Sequence, residues 1–370
     1  MINKPIILLE PAFNKEDLSR LKTENQIFQL HDIYEFQLQE LFEITHPQLL
    51  LKKDFSQKKK EFFDDKLGAS PDLKGAWVYF PWSGKLVHML NMADYQILRT
   101  NRNRDLITID EQKKLKNFSC AIAGLSIGSN IALGLVHQGI SHSIKLADID
   151  LIQTSNLNRI RAKLTDIGLP KTEFICQSIY EVNPFAEIKY YFDGINTENI
   201  DDFVSGSPQP KVIFDEIDDF EMKVRLRIKA KEARIPVIMF ANVDNKIIID
   251  IERFDLDEDL KFFNGELGAI PAEILSFKNI SEPMKHNLAV RFVGENNVSP
   301  KAQASVSEIG STLVGRPQLN STVTVSSGLA VYFIKRLALG EYLPSSRKVV
   351  DLDELLIGSN ISQQIKSYIY

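Results

Sequence analysis

Cysteine is nearly absent. Cys120 and Cys176 are the only two in 370 residues, far apart and in no C-x-x-C, which excludes a disulfide framework and a four-cysteine zinc site. Such usage suits a reducing, intracellular setting, so the expectation is a cytoplasmic chain without zinc. Positive charge is not in excess either. Against 49 Asp and Glu stand 44 Lys and Arg, a formal charge of −5, and no basic field favours nucleic acid as a partner. No run of about 18 apolar residues occurs, so no membrane-crossing helix is expected. The opening MINKPIILLEPAF has one Lys, a short apolar run and no small-residue cleavage site, unlike a signal peptide.

What is present is an ordinary globular composition, 44% apolar and 25% charged, which argues against disorder. Single cores stop growing near about 250–300 residues, so a chain of 370 is expected to hold more than one folding region. From Lys15 to Phe63, Leu, Ile and Phe recur at helical spacing among charges, which predicts two or three helices. Lys58, Lys59 and Lys60, followed by Glu61, read as a solvated face rather than a docking patch. The stretch GAWVYFPW predicts a strand closed by Pro81, with Trp77 and Trp82 in a core or domain interface.

From residue 118 the pattern alternates. FSCAIAG, SIKLADID, AEIKYYF, KVIFDEID, PVIMFAN and KIIIDIERF read as strands; SNIALGLVHQG, TEFICQSIYEVN and EMKVRLRIKAKEARI read as helices. This order predicts an α/β fold: a doubly wound, Rossmann-like, mostly parallel sheet with helices on both faces.

The turn Ala123-Gly124-Leu125-Ser126-Ile127-Gly128 joins a strand to a helix, where free amides and the helix dipole favour a phosphate. Its glycines match G-x-G-x-x-G incompletely, because Leu125 holds the middle position; that side chain is expected to obstruct close approach of a phosphate. Asp148 follows 20 residues after Gly128 at a strand tip, a place from which a carboxylate reaches ribose hydroxyls. The same turn satisfies G-x-S-x-G, with Ser126 as a hydrolase nucleophile, but no HGGG-type segment accompanies it and the only later histidine, beyond His142, is His286.

Downstream, D-I-D-L-I-Q-T-S-N-L-N-R from Asp148 to Arg159, DIGLPK ending at Lys171, Asn183-Pro184 and Asp215-Glu216-Ile217-Asp218 follow in order. This series resembles the ThiF/MoeB/HesA family, adenylating domains related to ubiquitin-activating enzymes, over about residues 98–342. Leu98-Arg99-Thr100-Asn101-Arg102 and SSGLAVYFIKRLALGE resemble its leading and late segments. The resemblance implies an ATP- and Mg²⁺-dependent adenylyltransferase that activates a carboxylate as an acyl-adenylate. The substrate class would be a peptide, a ubiquitin-like protein or a small molecule. It assigns catalysis to Arg159, Lys171, Asp218 and Arg102, the last reaching into the partner's site of a homodimer. Nucleotide contacts fall to Gly124, Ser126, Gly128, Asp148, Asp150, Asn156, Arg159 and Lys171, and Mg²⁺ to Asp218. These types suit the chemistry, because a carboxylate attacking an anionic α-phosphate needs a planar guanidinium and an ammonium converging there.

The expected division is 1–97 for recognition or dimerisation and mainly helical, 98–345 for adenylation, and 346–370 as a tail packed on or near it. With its GLS-x-G turn and preceding YFPW segment the chain also resembles ThiF-like chains fused to nitroreductase-like domains, a resemblance that implies a nitroreductase-like partner. Departures from the family are Ile160 for its Gln, Asp219 for its Asn and Lys223 for its Arg. Residues 241–280 hold no cysteine for a thioester relay, and both thiols are expected to be buried. Two rival readings are an NAD-binding oxidoreductase, which has no need of Arg159 with Lys171, and a catalytically silent scaffold. Asp218 has the alternative of capping the helix near Glu221.

Overall fold

The computed structural model describes residues 4–277 and 281–358. Contacts divide the chain into two compact units. One takes the chain up to Lys113 together with Cys176–Ala186, the other Lys114–Ile175 and the chain from Glu187 on.

The first unit holds strands β1 (Ile6–Leu9), β2 (Gln29–Asp32), β3 (Ala76–Phe80) and β4 (Lys85–Met89), with helices α1 (Lys15–Glu24), α2 (Tyr34–Thr45), α3 (Phe55–Leu67), α4 (Met92–Arg99) and α5 (Ile109–Lys116), which crosses the division. Where two or three helices are expected between Lys15 and Phe63 there are three, α1, α2 and α3, the last running on to Leu67. The four-stranded sheet, in order β1-β3-β4-β2, adds to the mainly helical expectation. Its outer strands are four residues long, too short for period-two alternation to stand out. Within the unit Trp77 is 2% exposed and stacks on His88 at 4.3 Å between ring centroids, a core residue as expected. Lys58 pairs with Glu61 at 2.8 Å on the exposed face of α3.

The second unit is built on a seven-stranded sheet, β11-β10-β9-β8-β5-β6-β7. Its chain runs β5 (Cys120–Ala123), α6 (Ile127–His137), β6 (Ser143–Ala147), α7 (Lys171–Val182), β7 (Glu187–Tyr191), α8 (Ile200–Ser205), β8 (Val212–Asp215), α9 (Phe220–Glu232), β9 (Val237–Val243) and β10 (Lys246–Glu252). Next come α10 (Ile270–Ser276), α11 (Glu282–Val293), α12 (Pro300–Ser307), α13 (Asn320–Leu339), β11 (Ser346–Asp351) and α14 (Leu352–Ile357); α7 crosses the division, its residues from Cys176 on belonging to the first unit. Strands β9, β8, β5, β6 and β7 are parallel, and β10 and β11 continue antiparallel. The alternation of β5 explains the helices on both faces. Ala121 and Ala123 share a core with Phe203 of α8 and Leu226 and Ala230 of α9, whereas Ile122 turns the other way, onto Gly128 of α6. Helix α13 packs against α6, with Val331 Cγ2 2.9 Å from where a Cβ on Gly134 would stand. It is the one described helix long and apolar enough to cross a membrane, and Val323, Ala330 and Ile334 bury one side of it. Of the expected tail 346–370, β11 and α14 are described, and the residues after 358 lie outside the described ones.

Because β6 and β7 extend the sheet to one side of β5 while β8 and β9 extend it to the other, the carboxyl ends of β5 and β8 form the switch point where open α/β sheets place their ligands.

Candidate functional site

At that switch point Gly124 has φ +90°, and a Cβ there would fall 2.2 Å from the Glu216 carbonyl oxygen, so only glycine lets the two strand ends approach. Gly128 serves a different contact: its missing Cβ would stand 2.6 Å from Ile122 Cγ2, which lets α6 sit low on β5. The expected obstruction by Leu125 does not arise. Its side chain is fully buried and packs beneath the first turn of α6, because the turn directs it into the core. Ser126 occupies the N-cap of α6 without capping it; its Oγ accepts instead from Arg159 Nε at 3.2 Å. The first-turn amides are therefore left without a side-chain cap, an anion-binding arrangement.

Asp148 lies just past the end of β6. One carboxylate oxygen accepts the Leu125 amide at 2.6 Å and the other the Asp150 amide at 2.8 Å. Lys171, at the start of α7 and 7% exposed, stands 3.7 Å from Asp148 Oδ1 and donates to Asp150 Oδ2 at 2.7 Å. Burial raises the Asp148 carboxyl above its ordinary range, against the pull of Lys171 and the two amides. Each carboxylate oxygen keeps a second lone pair for a hydroxyl donor.

Arg159 is held by its own segment. Its guanidinium donates to Asn158 Oδ1 at 2.9 Å and to the Ser155 carbonyl at 3.3 Å, and its carbonyl accepts from Asn130 Nδ2 at 3.0 Å. Asn156 is buried and builds the turn that presents Arg159: its Oδ1 accepts the Gln153 amide at 3.0 Å and its carbonyl the amides of Arg159 and Ile160. Ile160 is a core residue at 2% exposure. Burial lowers the Arg159 pKa, and the charge of Asp218 works against that shift.

Asp218 is exposed and pairs with Arg316 at 2.9 Å. It does not cap α9. Asp219 does, accepting the Met222 amide at 2.8 Å, because it is the residue immediately before the first turn. Among the described residues no cluster of three or more His, Cys, Asp or Glu side chains could hold a metal. A lone exposed carboxylate is the donor set expected for a magnesium ion that arrives on a nucleotide's phosphates, since that ion keeps waters and substrate oxygens around it.

Asp215 is fully buried between Lys223 at 3.2 Å and Arg227. Burial would raise its carboxyl, but those two cations hold it below the ordinary range. Arg227, also fully buried, binds Glu252 at 2.7 Å. This ion network fastens α9 to β8 and β10, and sequence reading missed it because Arg227 sits in a helix whose charges all look like a solvated face. Glu216 accepts the Phe240 amide at 3.1 Å, and burial pushes its carboxyl well above the ordinary range.

Beside Ser126 and Asp218 opens a cavity of about 290 Å³ that also reaches Glu216 and Lys223. Arg102 belongs to the first unit, on a 3₁₀ turn, Asn101–Asn103. Both cysteines are buried as expected, and burial pushes the Cys120 thiol up to about 12 while its hydrogen bond with Ser141 opposes the shift.

Residues 99–245 match the model of the ThiF family. An uncharacterized protein of Mycobacterium tuberculosis is 33% identical over 76% of this chain and 38% of its own length. A tRNA threonylcarbamoyladenosine dehydratase 2 of Saccharomyces cerevisiae is 31% identical over 39% of this chain and 33% of its own. The ubiquitin-like modifier-activating enzyme 5 of Caenorhabditis elegans is 29% identical over 38% and 32%. The chain thus spans between about a third and two fifths of the length of these relatives.

Proposed function

Because residues 99–245 carry a ThiF-family domain, we propose that this chain activates a carboxylate with ATP. One carboxylate oxygen attacks the α-phosphorus, the acyl–phosphate bond forms, the bond to the β-phosphate breaks, and pyrophosphate leaves. The observation that carries this reading is the meeting of Arg159 with the uncapped first turn of α6, through Ser126 Oγ, at the sheet's switch point. Both supply positive charge to one place, where the reaction brings two anions together.

In this reading Gly124 and Gly128 shape the phosphate turn, the one by letting the ends of β5 and β8 approach and the other by seating α6 low on β5, and Asp148, oriented by the Leu125 amide, accepts ribose hydroxyls. Lys171 adds a point charge and orders Asp150. Asn156 acts by shaping the segment that aims Arg159. Asp218 would hold Mg²⁺, which when bound neutralises charge on the departing pyrophosphate. Binding ATP there requires the Asp218–Arg316 pair to open, a small cost for an exposed pair. Arg102 would complete the site of a second copy in a homodimer. The setting would be the cytoplasm, the acceptor of the acyl group a separate nucleophile or partner enzyme, since both thiols are buried, and a nitroreductase-like chain a further partner.

Calorimetric titration with ATP–Mg²⁺, and separately with NAD, tests this. ATP binding that Arg159→Ala and Asp218→Ala each weaken supports the reading. Binding of NAD without ATP, or of neither, overturns it in favour of an oxidoreductase or a silent scaffold.

A further inference from the structure

Between α12 and α13 the chain runs past the phosphate turn as an irregular strap, Val314 to Leu319. Arg316, Pro317, Gln318 and Leu319 line the same cavity as Ser126 and Asp218. Two contacts fasten the strap there. Arg316 pairs with Asp218 at 2.9 Å, and the Gln318 carbonyl accepts from Asn158 Nδ2 at 2.9 Å. Toward its start the strap has room to move: Val314 is fully exposed, and a Cβ on Gly315 would meet nothing within 4 Å.

Both anchors belong to the proposed nucleotide site. Asp218 is its carboxylate for Mg²⁺, and Asn158 accepts from Arg159 Nη1 with its Oδ1 at 2.9 Å, so one amide joins the phosphate arginine to the strap. The charges there do not balance. Arg159 and Lys171 stand among three carboxylates, Asp148, Asp150 and Asp218, a set that is net negative before a triphosphate arrives. A departing pyrophosphate needs more positive charge than that set supplies. Arg316 brings a third cation to the same place, and its exposed pair with Asp218 opens at little cost.

Resting on the adenylation reading above, we infer that Arg316 is a phosphate-binding residue held in reserve: it rests on Asp218, and passes to the terminal phosphates of ATP, the future pyrophosphate, when Asp218 takes the nucleotide's Mg²⁺. The planar fork suits the exchange, because a carboxylate and a phosphate offer it paired oxygens in the same way. The bond from Asn158 to the Gln318 carbonyl keeps the end of the strap at the site while the arginine changes partner, and Gly315 leaves the other side free to swing.

The test uses the full chain, calorimetry and three probes, each with Mg²⁺: ATP, inorganic pyrophosphate and AMP. Arg316→Ala should weaken ATP and pyrophosphate about tenfold and leave AMP within about twofold, since AMP lacks the terminal phosphates. Arg316→Lys, which keeps the charge without the fork, should fall between alanine and wild type. An arginine that merely neutralised Asp218 would behave in the opposite way: its loss would free the carboxylate and leave ATP bound as in the wild type or more tightly. That result, or an equal loss for AMP and ATP, would overturn the inference. A second readout follows the strap itself. The thiol of Val314→Cys is at a fully exposed position while Cys120 and Cys176 are buried, so an environment-sensitive dye attaches there alone. Its emission should change on adding ATP or pyrophosphate and not on adding AMP; unchanged emission with ATP bound would overturn the exchange. The adenylation proposal can fail separately. If the wild type binds pyrophosphate through Arg316 but not ATP, adenylation falls and the phosphate site stands. If wild type and Arg316→Ala bind ATP equally, adenylation stands and the role of Arg316 falls, and binding of none of the probes overturns both.

Discussion

Asp148 accepts the Leu125 amide at 2.6 Å, which ties the tip of β6 to the turn that follows β5. The turn is thereby fixed by a carboxylate rather than by a second glycine. In the proposed site the same bond would orient the carboxylate for a ribose, so loop order and that proposed contact rest on one side chain.

Arg159 should tolerate lysine poorly. Lysine keeps the charge but loses the fork that joins Ser126, Ser155 and Asn158. The expected loss of ATP affinity is about tenfold for Arg159→Lys and about a hundredfold for Arg159→Ala, with Ser126→Ala costing only a few-fold. Calorimetry checks the order, and equal losses for lysine and serine variants would contradict it.

Gly124→Ala should cost roughly 2–4 kcal/mol of stability, since its Cβ meets backbone rather than a side chain that can swing away. Gly128→Ala should cost less, because Ile122 Cγ2 belongs to a side chain. Urea unfolding of the two variants side by side decides this.

Glu252 gives a pH dependence with a definite sign. Burial raises its carboxyl from 4.5 to about 7, against the pull of Arg227. Between those values the folded state binds more protons than the unfolded state, so this group's share of stability falls as pH rises from about 4.5 to 7. The loss amounts to no more than about 3 kcal/mol. Stability measured in urea at pH 5, 6, 7 and 8 should therefore decline less steeply for Glu252→Gln than for wild type. Parallel curves would show that Glu252 does not titrate in this range.

The thiols should be silent. Cys120 and Cys176 are buried, and Cys120 is pushed up to about 12, so an aromatic disulfide reagent at pH 8 should find no reactive thiol in the folded protein and two after unfolding. Rapid labelling of one thiol in the native state would reopen a thioester relay.

The central part of the fold was legible because it rests on period and position. CAIA, SIKLA and VIFD are apolar runs closed by turn residues, and parallel strands buried on both faces have little else to show. β1 and β2 escaped because four residues carry too little pattern, and β2 is exposed along its whole length. At the site, Asp148, Lys171 and Arg159 stood out because their order and spacing resemble those of the ThiF family. Asn130 and Arg316 did not, since an amide or an arginine has no signature until its neighbours are known.

The amino-acid sequence alone determined the α/β order, the glycine-bearing turn and the set of charged residues after it. These depend on local period, on backbone freedom and on residue types at fixed intervals, all of which are properties of the chain itself. Tertiary structure alone decided which way Leu125 turned, that Asp219 rather than Asp218 caps α9, and that Arg227 is a buried ion-pair hub. It also decided that a cavity opens beside the turn. Each of those depends on which segments meet in space, and burial, which sets the worth of a charge or an amide, exists only after they have met.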